Sequence, residues 1–107
     1  MAGARILIVD DEPDIRELIA DILKDEGHQV STAADASQAR ELRRAEAPEL
    51  VLLDVWMPDT DGISLLREWR DAEALDCPVV MISGHGSVET AVEATRLGAY
   101  DFIEKPV

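Results

Sequence analysis

Three short apolar runs, each ending on a polar residue at the matching place, restrict the folds open to this chain more than any other feature. Leu50-Val51-Leu52-Leu53 ends on Asp54, Ile6-Leu7-Ile8-Val9 on Asp10-Asp11, and Val79-Val80-Met81-Ile82 on Ser83-Gly84. None alternates polar with apolar residues, so each reads as a strand buried on both faces, the habit of parallel sheets. In open α/β sheets ligands bind outside the carboxyl ends of the strands, so the three polar ends are expected to face one pocket.

The segments between these runs have helical spacing. Pro13 suits a first helical position, with Asp11 or Glu12 in the cap region, and Ile15, Leu18, Ile19, Ile22 and Leu23 form one apolar stripe ending at Gly27. His28 to Ala33 reads as a short outer strand. Ser37 is the expected cap of a second helix on which Ala39, Leu42 and Ala45 or Glu46 share a face, with Pro48 as its stop. Asp61-Gly62 opens a third helix carrying Ile63, Leu65, Leu66 and Trp69, which closes before Cys77-Pro78. Ser87 would cap a fourth, with Val88, Ala91, Val92 and Thr95, ending at Gly98; Tyr100 to Ile103 is a fifth strand. Strand and helix alternate about five times, which predicts a parallel sheet with right-handed crossovers and helices on both faces.

A chain of 107 residues forms one domain. Its net charge of -13, from 23 acidic and 10 basic residues, disfavours direct contact with nucleic acid or an anionic membrane. No apolar run reaches membrane-spanning length, and the amino terminus lacks a basic-then-apolar signal pattern. The single Cys77 cannot form an internal disulfide, which fits a reducing cytoplasm. Lys24 and Lys105 are the only lysines, so a lysine directly after the fifth strand draws notice.

Carboxylates gathered at one pocket repel unless one takes up a proton or a cation joins them. Magnesium is held by one or two carboxylates and keeps several waters, which suits Asp11 and Asp54 as ligands with Asp10 as near neighbour. A carboxylate beside such an ion can attack phosphorus, and the Lys105 ammonium and Ser83 hydroxyl could meet the phosphoryl oxygens. Each residue also has a plainer reading. Asp10 and Asp11 could cap the first helix, Ser83 could serve a turn, Phe102 could be core, and a loop histidine such as His85 is usually solvated.

Taken together, Asp10-Asp11, the Asp54-x-x-Met57-Pro58-x-x-Asp61-Gly62 block, Ser83 and Lys105-Pro106 resemble the receiver domain of two-component response regulators, over essentially the whole chain. The resemblance implies a flavodoxin-like (CheY-like) α/β fold with strand order 2-1-3-4-5. It implies that Asp54 is the phosphoacceptor, that Asp11, Asp54 and the Trp56 carbonyl hold magnesium with Asp10 supporting it, that Ser83 and Lys105 bind the phosphoryl group, and that Phe102 is a switch aromatic. The implied partners are a sensor histidine kinase and a second copy paired through the fourth helix and fifth strand. The domain would catalyse only its own phosphorylation and dephosphorylation. Met81 to Ser87, Gly98 to Pro106 and Val55-Trp56-Met57-Pro58 further resemble the nitrogen-regulation NtrC/NtrX-type branch, implying control of a transcriptional output.

The same resemblance predicts one more helix after Val107, and with it an apolar face left open here that lowers stability or draws a neighbour. Trp69 is expected on a buried stripe, and Trp56 at the pocket rim, slowing water's approach to an acyl phosphate. Two other readings compete. Asp59-Thr60-Asp61-Gly62 mimics the nucleophile motif of haloacid-dehalogenase-like magnesium phosphatases, although the apolar run ends at Asp54 rather than Asp59. A pseudo-receiver would keep the fold as a binding module without phosphorylation.

Overall fold

The computed structural model describes residues 3–57, 59–72, 77–84 and 88–104. Five strands, β1 (Arg5–Val9), β2 (Gln29–Ala33), β3 (Leu50–Asp54), β4 (Val79–Ser83) and β5 (Asp101–Glu104), alternate with four helices. These are α1 (Pro13–Asp25), α2 (Ala36–Glu46), α3 (Gly62–Asp71) and α4 (Val88–Arg96). All strand pairs are parallel, in the order β2-β1-β3-β4-β5. The expected fold class and strand order therefore hold.

Period-two alternation divides the apolar runs between two cores. Leu7, Val9, Val51, Leu53, Val79 and Met81 point to one face, where Ala36 and Ala39 of α2, Leu65, Leu66 and Trp69 of α3, and Ala94 of α4 cover them. Ile6, Ile8 and Ile82 point to the other, against Ile19 and Ala20 of α1. Trp69 is buried as expected and carries the Arg43 guanidinium 5.0 Å from its ring centroid. The α1 stripe is only half used: Ile19 is buried and Ile15 and Leu23 pack on the core, but Leu18 and Ile22 are 51% and 53% exposed.

Several boundaries differ from the sequence reading. Asp35, not Ser37, is the N-cap of α2, its carboxylate accepting from the Gln38 N–H at 2.9 Å. Glu12 is the N-cap of α1 without a side-chain cap bond; the Pro13 ring occupies the first turn instead. β5 starts at Asp101, because Tyr100 still belongs to the turn after α4 and is 76% exposed. On α4, among the described side chains, Ala94 and, just beyond, Leu97 are buried and the expected Ala91 is half-buried, whereas the expected Val92 is 46% exposed and Thr95 is exposed. On α2, Ala45 and Glu46 are exposed, and Ala36, Ala39 and Leu42 make its apolar contacts. Gly27 and Gly98 end their helices at φ 90° and 101°, the left-handed region open to glycine. The proposed Ser87 cap lies outside the described residues.

Candidate functional site

The strand order sets β1, β3 and β4 side by side, and the register pairs Val9 with Leu53 and Asp54 with Ile82. Asp10, one residue past Val9, thus stands level with Asp54, and Ser83 is one residue further along β4. All three side chains are buried, at 1%, 2% and 0% exposure. Two carboxylates in an otherwise apolar interior cost free energy unless a cation or hydrogen-bond donors compensate them. They stand at the sheet edge where α/β proteins bind ligands.

Asp10 is fixed through its backbone. Its N–H donates to the Ala33 carbonyl at 3.0 Å and its carbonyl accepts from Arg16 Nη1 at 2.8 Å. Its Oδ1 accepts the Glu12 N–H at 2.9 Å, which turns the chain out of β1 into α1. Oxygen atoms of Asp10, Asp11 and Glu12 lie within 4.8 Å of one another, Asp10 buried and the other two exposed. An all-oxygen, acidic, half-open donor set fits a hard divalent cation. Glu12 is an addition to the expected set, having been read only as a cap; three consecutive acidic residues were the signal for it. Asp54 is not part of this cluster.

The β3–α3 loop leaves Asp54 under tight constraint. The Val55 N–H donates to Ile82 O at 3.0 Å, and the Gly62 N–H returns to Val55 O at 2.7 Å. A Cβ on Gly62 would collide with the Asp54 carbonyl, so this closure requires glycine. Within the loop Val55 is buried and Met57 packs on the core, whereas Trp56 is 53% exposed at the rim, as expected. Asp61 caps α3 through Ser64 N at 2.8 Å and Ser64 Oγ at 3.2 Å. Asp59 caps the other helix: Oδ1 accepts from Ala36 N at 3.1 Å and Thr60 N at 2.8 Å, and Oδ2 from Ser37 N at 3.3 Å. The Ala36 N–H foremost, with those of Thr60 and Ser37, holds the Asp59 carboxyl below the ordinary carboxylate range. With Asp59 and Asp61 both capping helices, neither stands as the strand-end nucleophile that a haloacid-dehalogenase-like reaction requires.

Phe102 is half-buried on β5, paired with Met81 and packed against the core on the α2–α4 face. Lys105, Pro106, Pro58 and His85 lie outside the described residues. No helix among the described residues is long and apolar enough to cross a membrane.

Comparison with known proteins bears on this arrangement. The family described as "Response regulator receiver domain" matches residues 6–107. The nitrogen assimilation regulatory protein NtrX of Azorhizobium caulinodans is 54% identical over 103 residues, 94% of this chain and 22% of that protein. The chain thus spans about a fifth of the length of such curated relatives. The crystal structure of the receiver domain of NtrX from Brucella abortus is 56% identical with a TM-score of 0.87, covering 95% of this chain and 86% of that one. A CheY-like receiver domain protein from Methanospirillum hungatei JF-1 has a TM-score of 0.91 at 34% identity, over 99% of this chain and 84% of that one.

Proposed function

Because this chain belongs to the response regulator receiver domain family, we propose that it is a phosphorylation switch whose acceptor is Asp54. The observation that carries this reading is the burial of Asp54 at 2% exposure, level with Asp10 on one neighbouring strand and beside Ser83 on the other. A partner histidine kinase supplies the phosphoryl group. An Asp54 carboxylate oxygen forms the new P–O bond as the P–N bond to the kinase histidine breaks, and the departing imidazole is made neutral by a proton taken from water. Such transfer needs mainly positioning and charge compensation.

Asp10, Asp11, Asp54 and the Trp56 carbonyl would hold Mg²⁺, with Glu12 beside them. Bound there, the cation would offset the charge of the carboxylates and the phosphoryl oxygens. Ser83 donates its hydroxyl to the transferred group and Lys105 its ammonium. Trp56, exposed at the rim, hinders water's approach to the acyl phosphate and so lengthens its life. The product adds about -1.5 to -2 charge. As Ser83 moves toward it, Phe102 turns into the space vacated, and α4 and β5 shift between two arrangements. A near-complete shift needs about 5.5 kcal/mol of differential stabilisation. The altered α4–β5 face pairs with a second copy and controls a transcriptional output; the likeness to a nitrogen assimilation regulatory protein, NtrX, supports an output in nitrogen regulation.

Incubation with Mg²⁺ and a small phosphodonor tests the acceptor. Wild type is expected to gain an acid-stable, base-labile label that Asp54→Asn does not. Equal labelling of the two would move the site elsewhere, and no labelling of either would favour a binding module that is never phosphorylated.

A further inference from the structure

One carboxylate on the metal-side loop is spent on a helix to which that loop is not joined. The Gly62 N–H to Val55 O bond closes the base of the β3–α3 loop, and Asp61 caps α3 at the loop's far end. Asp59 reaches sideways instead, across 22 and 23 residues of sequence, to the first two N–H groups of α2. α2 already has its own cap, Asp35, bonded to the third of its leading N–H groups. The Gln38 Oε1 returns to the Ala34 N–H at 3.0 Å. The contribution of Asp59 is therefore complementary to the local cap and couples the β3–α3 loop to α2, while the Arg40–Glu68 ion pair joins α2 to α3.

We propose that Asp59 is a positioning residue for the cation site: by clamping the loop to the amino end of α2, it holds the Trp56 carbonyl at a fixed place beside Asp54. This rests on the reading of the site given above. Trp56 lies three residues from Asp59, and its side chain is 53% exposed. Val55 and Met57 fix the loop in the direction of the core, and Asp59 fixes it along the sheet edge. α2 is a rigid mount, since Ala36 and Ala39 are both at 0% exposure under the sheet. Groups one step removed from a metal commonly set its affinity through the orientation of the ligands they hold.

A purely structural cap predicts something different, and two variants separate the readings. Asp59→Ala and Asp35→Ala each remove one cap from α2, but only the first releases the loop. MgCl₂ titration, followed by Trp56 fluorescence and by calorimetry on folded protein, is expected to show Kd raised about tenfold in Asp59→Ala and unchanged in Asp35→Ala. Asp59→Asn keeps one acceptor oxygen and should fall between wild type and Asp59→Ala. Amide exchange without metal should show Ala36 and Ser37 losing protection together with the residue 55–57 amides in Asp59→Ala. Equal Kd values in wild type and Asp59→Ala would overturn the positioning role while leaving the switch reading intact, as would equal weakening in both Ala variants. A wild-type domain that binds no Mg²⁺ would overturn both.

Discussion

On one face of the sheet Leu53, Leu65, Leu66 and Met81 lie at 0% exposure beneath α2, α3 and α4, whereas on the other α1 leaves its own Leu18 and Ile22 51% and 53% exposed. Both faces are built from the same apolar strands, read at odd and even positions. Apolar side chains stabilise in proportion to the surface they remove from water, so Leu53 and Met81 contribute more than the exposed Leu18 and Ile22, although Ile6 and Ile8 on the α1 face are themselves buried. Asp10, Asp54 and Ser83 stand at the sheet edge where both cores end, and Asp10 is tied to the α1 side through Arg16.

The comparison breaks most readily by truncating one residue on each face. Leu53→Ala or Leu66→Ala is expected to cost about 2–5 kcal/mol in urea denaturation. Leu52→Ala, only half-buried on the α1 face, should cost less than half of that, and Leu18→Ala or Ile22→Ala about 0.5 kcal/mol or less. Similar losses on both faces would show that the open side is as well packed as the closed one. Next in size is Gly62→Ala. Its methyl would strike the Asp54 carbonyl, with a cost of about 1–3 kcal/mol expected from forced overpacking. Asp54 labelling should fall even in the fraction that remains folded, and undiminished labelling would show that the loop relaxes without moving Asp54.

Smaller effects concern the ties along the covered side. Asp59 has its carboxyl held below the ordinary range by the Ala36 N–H and its companions, so its folded pKa is depressed relative to the unfolded chain. The stability it contributes is therefore fully present above about pH 4–5 and is lost as pH falls through the folded pKa. The stability difference between wild type and Asp59→Asn should be largest at neutral pH and shrink as pH falls below the ordinary carboxylate range; a constant difference would contradict the charged cap. Smallest of all is Arg40→Ala. The Arg40–Glu68 pair is bidentate, at 2.8 and 3.2 Å, but its side chains are 33% and 48% exposed. A loss of about 0.2–1 kcal/mol, shrinking with added salt, is expected in the same denaturation experiment.

The strands were the most legible part of this chain, because burial on both faces leaves no polar residue to confuse Leu50–Leu53 or Ile6–Val9 with a surface strand. Their carboxyl ends marked Asp10, Asp54 and Ser83 for the same reason. Boundaries set by local competition were harder to read. Asp35 and Ser37 are both good caps two residues apart; Asp35 is the one with extended backbone and a carboxylate that accepts the Gln38 N–H, and Ser37 already lies inside the helix. Tyr100 is apolar enough to look like strand and its N–H bonds to Val79 O at 2.8 Å, but the register of β5 with β4 starts at Asp101. The α4 stripe was misplaced because Ala94, a small residue, does the packing while the larger Val92 faces solvent. The tie from Asp59 to α2 has no sequence signature, since its partners are 22 and 23 residues away.

The most direct measurement on the central claim is borohydride trapping followed by peptide mass spectrometry. Borohydride reduces an aspartyl phosphate to homoserine and leaves a free carboxylate unchanged. After incubation with Mg²⁺ and phosphodonor, homoserine is expected at position 54 and at no other acidic residue. Homoserine at Asp10, Asp11 or Asp59, or its absence from position 54 in a domain that carries the label, would contradict the account.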